Sequence, residues 1–260
     1  EKPYEATLAD QQILEDKTPY FRVWNLTEDF DKSARTSFFH KNIGGYHAAK
    51  MERYQELYDY QLSGEREKLV DLITQRPDNQ LFDLGLSQLK ITNMLNTKYI
   101  IYNNDVRPLL NPKALGNAWF VKEIRYVENA DQEIRGLDEF DPAQTILVDQ
   151  SFKDRVKPFS PDPDTAATIA LTHYQPNKLE YASQSKTDQL AVFSEIYYPM
   201  GWNAYVDGAK IPYFRANYVL RAMVIPAGSH TVEFRFEPRS YHLGETISLV
   251  FSLILLLTLV

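Results

Sequence analysis

Glycines, aromatic rings and cations are densest in the stretch from Ser37 to Tyr54, which reads SFFHKNIGGYHAAKMERY. Glycine lets a ligand approach the backbone closely, arginine can hold phosphate, and an aromatic ring can stack on a sugar. We therefore predict a substrate-binding site formed by Gly45, Tyr46, His47 and Arg53. The alternative is that this stretch is only the entry to a helix, with its cations in solvent.

A metal site in the same stretch is not expected. His40 and His47 are seven residues apart, which places them on one side only if a helix runs through both. The intervening Gly44-Gly45 pair opposes such a helix. Asp162-Pro163-Asp164 has the spacing of an Asp-x-Asp metal motif, but its proline-rich surroundings favour a solvated linker.

Acid–base and nucleophilic chemistry have equally weak support in the sequence. Glu28, Asp29 and Asp31 could work as an acid–base group if their environments separated their pKa values, yet their polar setting favours a solvated cluster. We find no Ser/His/Asp arrangement, phosphate-binding glycine loop or zinc motif. The catalytic residue therefore stays unknown, and we expect no cofactor.

Composition limits the function classes further. The 260 residues are 44% hydrophobic and 24% charged, as in globular proteins of one large or two ordinary domains. A net charge of −7 argues against a nucleic-acid partner, which would require clustered lysine and arginine. The chain has no cysteine, which excludes disulfides, thiolate metal ligands and a cysteine nucleophile.

The elements that could position these groups are clearest between Leu190 and Pro238. Apolar and aromatic runs there alternate with turn residues at hairpin spacing, which predicts an antiparallel β-sandwich or jelly roll. Asp207-Gly208 fits a tight hairpin turn, and Pro226-Ala227-Gly228 fits a second turn. Alternation of apolar and charged residues from Thr231 to Glu237 predicts one core containing Phe193, Trp202, Val232, Phe234 and Phe236.

The first half of the chain mixes helical and strand patterns. We predict a helix that ends or is interrupted at Gly64, one strand from Trp119 to Val127, a helix over residues 130–137 and a strand over residues 145–148. The proline-rich segment from Lys157 to Thr165 is typical of a linker. The predicted fold class is therefore α+β, with an α/β domain over residues 1–158 and a β-sandwich domain over residues 159–243.

The last residues are strongly apolar. Ile247 to Val260 contains no charged side chain, and a helix needs about 20 such residues to cross a bilayer. We predict that residues 244–260 are a truncated transmembrane helix; a buried core helix is the alternative.

Specific phrases in this sequence resemble the YfhO family of bacterial polytopic membrane proteins. They are FSEIYYPMGW, YVDG, RANYVLRA and PAGSHTVEFRF between Phe193 and Phe236, preceded by MLNTKYII at Met94 and NPKALGNAWFV at Asn111. The resemblance implies the C-terminal extracytoplasmic region of an inner-membrane protein similar to GT-C glycosyltransferases. Such enzymes take sugars from polyprenyl-phosphate carriers, and their catalytic carboxylate would lie outside these residues.

Two functions follow as hypotheses. The first is the extracytoplasmic portion of a membrane glycosyltransferase that modifies a cell-envelope polymer, with the bilayer, a polyprenyl-phosphate sugar and an envelope glycan as partners. The alternative is a non-catalytic glycan-binding or scaffold module tethered to the membrane, which the many aromatic residues of the predicted sandwich would suit.

Overall fold

The computed structural model describes residues 3–75, 77–156 and 164–258, in which helices and strands are mixed. The α-helices are α1 (Leu8–Glu15), α2 (Arg35–Phe39), α3 (Glu52–Leu57), α4 (Ser63–Gln75), α5 (Asn79–Ser87), α6 (Lys90–Met94), α7 (Ala130–Gly136), α8 (Lys153–Val156) and α9 (Arg239–Thr258). A π-helical turn, Tyr58–Leu62, joins α3 to α4, and short 3-10 turns are formed by Leu137–Glu139 and Gln150–Phe152.

Fourteen strands are found in the described residues, divided among four sheets. They are β1 (Arg22–Asn25), β2 (Thr97–Ile101), β3 (Leu109–Leu110), β4 (Ala118–Val121), β5 (Glu123–Val127), β6 (Thr145–Asp149), β7 (Thr168–Gln175), β8 (Lys178–Ser185), β9 (Gln189–Ile196), β10 (Trp202–Val206), β11 (Ala209–Ile211), β12 (Phe214–Ala216), β13 (Leu220–Ile225) and β14 (Gly228–Phe236). Parallel pairing occurs between β1 and β2 and between β5 and β6.

Two antiparallel sheets form the predicted sandwich. One has the strand order β11-β10-β14-β8-β7, and the other has the order β12-β13-β9-β4. Between them lies a core in which the ring of Phe193 is 4.9 Å from those of Tyr181 and Phe234. The predicted core is confirmed for Phe193, Val232 and Phe234, and Trp202 packs at its margin.

The prediction that Phe236 belongs to this core is wrong. Its side chain is 38% exposed, because β14 reaches the end of the sandwich there and its partner across the sheet is Trp202. Alternation along a strand predicts the face on which a residue lies, but it does not predict where the facing sheet stops.

The four-stranded sheet is buried on both faces. Phe193 and Met223 face the sandwich core, whereas Leu190, Val192 and Phe214 belong to a second cluster shared with the helices of the first half. This double burial explains the near-continuous apolar run of β9, in which six successive residues from Gln189 are buried. The molecule therefore has three layers, with this sheet in the middle.

The predicted strand from Trp119 to Val127 is two strands in different sheets. β4 pairs with β9 in the sandwich, whereas β5 pairs with β6. Between them the backbone N–H groups of Lys122 and Glu123 both donate to the carbonyl of Gln144. The sequence pattern hides such a change of partner, because both halves are rich in residue types that favour strands.

Gly64 does not end the helix that enters from α3. The chain stays helical from Glu52 to Gln75, and its irregularity is the π-helical turn, where buried Gln61 donates to the carbonyl of Ile134 at 2.9 Å. A Cβ at Gly64 would meet nothing within 4 Å, so the glycine does not reflect a close contact. The predicted helix over residues 130–137 and the strand over residues 145–148 are confirmed by α7 and β6.

The predicted linker falls mainly outside the described residues, since only Asp164 and Thr165 of it are described. The division into domains at residue 158 stays a prediction. Strand β4, from the first predicted domain, pairs with β9 from the second. The cluster that contains Leu57 and Ile100 also contains Val192 and Phe214, so side chains from both sides of the division share one core.

Helix α9 occupies the apolar end of the sequence, and its side chains from residue 247 onward are exposed. Within the described part of the chain, no helix meets the length and hydropathy that a membrane crossing requires.

Candidate functional site

A cavity of about 380 Å³ lies beside the glycine-rich stretch that the sequence singled out. Its wall is built from the start of β1, the loop that follows Phe30, the loop from Asn42 to Met51, the first turn of α3 and the end of β9. The lining residues are Arg22, Phe30, Asp31, Asn42, Ile43, Gly44, Gly45, His47, Ala49, Lys50, Met51, Tyr54, Gln55 and Ile196.

Two glycines fix the course of the chain around this cavity. A Cβ on Gly44 would lie 2.3 Å from the carbonyl oxygen of Phe30, and one on Gly45 would lie 2.4 Å from Ser37 Oγ. Gly45 also has a φ of +110°, a region that other residues rarely adopt. Its N–H donates to the carbonyl of Phe30 at 2.6 Å. The glycines therefore let this loop pack tightly on the preceding one.

The polar groups of the cavity already have partners within the protein. Lys50 Nζ lies 2.8 Å from Asp31 Oδ2, and His47 Nδ1 accepts the N–H of Ala49 at 3.1 Å. The hydroxyl of Tyr54 donates to the carbonyl of Ile43 at 2.5 Å, and burial raises the pKa of this phenol to about 12. Tyr54 is therefore a neutral hydrogen-bonding group at neutral pH and is unsuited to act as a base.

Arg22 lies at the buried side of the cavity and was not among the predicted site residues. Its Nη1 donates to the carbonyls of Leu95 and Ser194 at 2.7 and 2.6 Å, and its Nη2 lies 3.9 Å from Glu195. These contacts join β1 to the end of α6 and to β9. Its position directly before the apolar residues Val23 and Trp24 is the sequence signal that could have drawn attention to it.

The structure brings two of the four predicted site residues together. Gly45 and His47 both line the cavity. Tyr46, between them, is not among the lining residues, and its side chain is 65% exposed. Arg53 points elsewhere: its Nη1 lies 3.5 Å from Glu133, and its guanidinium lies 4.6 Å from the ring centre of Tyr218.

Arg53 thus belongs to a separate buried ionic cluster around Glu133. The carboxylate of Glu133 also contacts Arg215 Nη2 at 3.0 Å and accepts the N–H of Tyr218 at 3.0 Å. Burial raises the pKa of Glu133, while Arg215 and the Tyr218 amide favour its charged form. Because α7, β12 and α3 meet at this carboxylate, its evident role is to hold the layers together.

The other candidate groups have structural partners. Asp162 and Pro163 lie outside the described residues, and Asp164 caps a turn by accepting the N–H groups of Ala166 and Lys186. Glu28 bonds to Ser33 and Arg35, and buried His40 lies 2.9 Å from Asp10. Among the described residues, no three His, Cys, Asp or Glu side chains are grouped as a metal site would require.

Comparison with known proteins gives one match. Neither the curated proteins nor the solved structures contain a significant match to the chain. Residues 163–248 match the model of a family described as bacterial membrane protein YfhO, which covers β7 to β14 and the start of α9. The resemblance seen in the sequence is thereby confirmed over about a third of the chain, and it supports a membrane protein of the YfhO family.

Proposed function

We propose that this chain is the extracytoplasmic portion of a polytopic membrane protein that is a GT-C-type glycosyltransferase. The enzyme would use a polyprenyl-phosphate-linked sugar to modify a cell-envelope polymer. The observation that carries the proposal is the family match over residues 163–248. The exposed apolar side chains of α9 support the association with a bilayer that this proposal requires.

Within this proposal, the cavity beside Gly45 and His47 is where a sugar would bind. Its lining combines the rings of Phe30 and Tyr54 with the amide, imidazole and charged groups of Asn42, His47 and Lys50. Aromatic surfaces pack against the apolar faces of sugar rings, and side-chain amides and charges bond to sugar hydroxyls. Its volume of about 380 Å³ falls within the range of small-molecule sites.

The same cavity supports a role in binding rather than in the transfer step. Lys50 is neutralised by Asp31, and Tyr54 is held as a neutral phenol by burial. These fixed partnerships orient a ligand but leave little freedom for proton transfer. They also favour the second candidate, a non-catalytic glycan-binding or scaffold module of the same membrane protein.

The test compares variants of the cavity with variants of its neighbours in the full-length protein. His47→Ala and Lys50→Ala remove lining side chains, whereas Tyr46→Ala removes a nearby exposed side chain that does not line the cavity. We expect the first pair to lose glycan modification at normal membrane abundance, with Tyr46→Ala unaffected. Normal modification in both cavity variants would contradict a sugar site in this cavity.

The two candidate functions are separated by the purified full-length protein. A glycosyltransferase should transfer sugar from a polyprenyl-phosphate donor to envelope glycan, and the cavity variants should raise the KM more than they lower kcat. Glycan binding without any transfer by the parent protein would favour the scaffold module.

A further inference from the structure

Four large side chains, three of them exposed and one partly buried, lie together at one end of the sandwich. The loop between β9 and β10 carries Met200, which is 70% exposed, and Tyr198, which is 41% exposed. Trp202 begins β10, and its ring lies 5.4 Å from that of Phe236, which is 38% exposed. We call Tyr198, Met200, Trp202 and Phe236 the end patch.

The end patch is held in place by contacts that leave its loop little freedom. Gly201 has a φ of +94°, and a Cβ there would lie 2.7 Å from the ring of Phe236. The hydroxyl of Tyr213 lies 3.3 Å from the carbonyl oxygens of both Tyr198 and Trp202. These contacts hold the loop in a conformation that exposes Met200. The patch is therefore a preformed apolar surface.

This patch adjoins the root of α9. The N–H of Glu237 donates to the carbonyl of Gly201 at 2.6 Å, and the Cβ position of Gly201 lies 3.1 Å from Pro238, which directly precedes the helix. Further along, α9 exposes a series of large apolar side chains: Ile247, Leu249, Val250, Phe251, Leu253, Ile254, Leu255, Leu256 and Leu257. The patch thus lies at the base of a helix whose later turns expose apolar side chains.

The carboxylate next to the patch is held by local hydrogen bonds. The carboxylate of Glu237 accepts the hydroxyl of Tyr205 at 2.7 Å and the amide of Asn203 at 2.9 Å, and these bonds lower its pKa. The four side chains of the patch themselves carry no charge and offer a partner aromatic and thioether surface. Tyrosine and tryptophan rings favour the boundary between lipid headgroups and acyl chains, where one end of the ring is wet.

We propose that the end patch rests on the membrane surface, with Met200 inserted among the upper acyl chains and the rings of Tyr198 and Trp202 at headgroup level. Bilayer lipid fits the patch because the patch lies at the base of the exposed apolar helix of a chain that matches a membrane-protein family. The contact fixes how the sandwich stands on the membrane. It requires neither sugar transfer nor a crossing by α9.

The experiment uses the intact protein in nanodiscs of phosphatidylcholine, with any cysteine outside this cysteine-free chain replaced by serine. A fluorescent label sensitive to its surroundings is attached at Met200→Cys and, in a second variant, at Tyr198→Cys. The control is Ala209→Cys, an exposed position beyond the far end of β10. Four residue steps of strand place the two ends of β10 about 13 Å apart.

Lipids carrying a nitroxide near the headgroup should quench the labels at residues 198 and 200 several-fold more than the label at residue 209. Equal quenching at all three positions would overturn the proposal. A label at residue 200 that reports an apolar environment without being quenched by the lipid would mean that protein covers the patch, and would overturn it as well. Sugar transfer is not part of the readout, so failure here leaves the proposed function untouched.

Discussion

At the scale of single residues, the strongest constraint comes from a charged side chain in the interior. Arg22 is 7% exposed, and its guanidinium joins three segments through two backbone carbonyls and the carboxylate of Glu195. An apolar side chain of similar length would fill the space, but it would leave both carbonyls without this donor and Glu195 without the positive charge beside it.

We expect Arg22→Met to lower the free energy of unfolding by about 3–5 kcal/mol, the cost of breaking a buried pair by removing one partner. Urea unfolding followed by circular dichroism measures this. Arg107→Met makes the same change at an exposed arginine and should stay within about 0.5 kcal/mol of the parent. Equal effects of the two variants would show that Arg22 contributes little to stability.

A second residue links stability to pH. Partial burial alone would raise the pKa of Asp16, but hydrogen bonds from Lys98, Thr18 and Tyr99 outweigh it and hold the pKa below the ordinary value. In the unfolded chain an aspartate titrates near about pH 4. The folded state therefore gains stability from the ionised Asp16 above that pH, and loses it as the pH falls toward the lower folded pKa.

Asp16→Asn should accordingly be less stable than the parent at pH 7, and this difference should shrink as the pH is lowered from about 5 to 2. Lys98→Met should give a similar pattern, because it removes the ammonium group 2.6 Å from Asp16. Thermal melts across this pH range provide the measurement. A difference that stays constant with pH would contradict the assigned role of Asp16.

At the scale of elements, β14 carries two phenylalanines on one face whose contributions to stability can be compared. Phe234 lies within 5.5 Å of the rings of Phe193 and Tyr213, whereas Phe236, two residues further on the same face, lies at the exposed end. Phe234→Ala should cost roughly 3–5 kcal/mol of unfolding free energy. Phe236→Ala should cost less than about 1.5 kcal/mol, since its ring is only partly buried. Denaturant unfolding of both variants decides the point; similar costs would mean that the core extends to the end of the sandwich.

Two glycines allow the effect of backbone conformation on stability to be measured separately from side-chain contacts. A Cβ at Gly64 or at Gly208 would meet nothing within 4 Å, but Gly208 has a φ of +82° in the β10–β11 turn. Gly208→Ala should therefore destabilise by about 1 kcal/mol, and Gly64→Ala, inside a helix, should stabilise by about 0.5–1 kcal/mol. Changes in the melting temperature of opposite sign are expected. Changes of the same sign would show that conformational freedom does not govern these two positions.

The sandwich was predictable because its signals are local. Asp207 and Gly208 do adopt positive φ in a two-residue turn between paired strands, as their types indicate. The split of residues 118–127 between two sheets was not predictable, since it depends on β9 and β6, which are distant in sequence. The candidate site shows the same limit. Gly45 and His47 were found because they are neighbours in sequence, whereas Arg22 and Ile196 reach the cavity only through the tertiary fold.

At the scale of the whole molecule, the shared core decides how the chain should unfold. Two independent domains would melt in two steps, but Leu57, Leu137, Val192 and Phe214 belong to one cluster. We therefore expect a single cooperative transition, with tryptophan fluorescence and circular dichroism giving the same midpoint. A fragment that begins at residue 164 would lack β4 and should bind a hydrophobic dye through the uncovered face of the middle sheet. Separate midpoints, or a stable fragment without dye binding, would support the division at residue 158.

The pairing of β4 with β9 has a consequence for the order of events during synthesis. The start of β9, Gln189, lies 68 positions after Val121, and ribosomes add about 5–20 residues per second. For roughly 3–14 seconds, then, the newly made Trp119 and Phe120 have no strand to join. A chaperone that covers this segment during the interval would prevent it from pairing with a wrong strand, so the risk of mispairing is greatest before synthesis of the chain is complete.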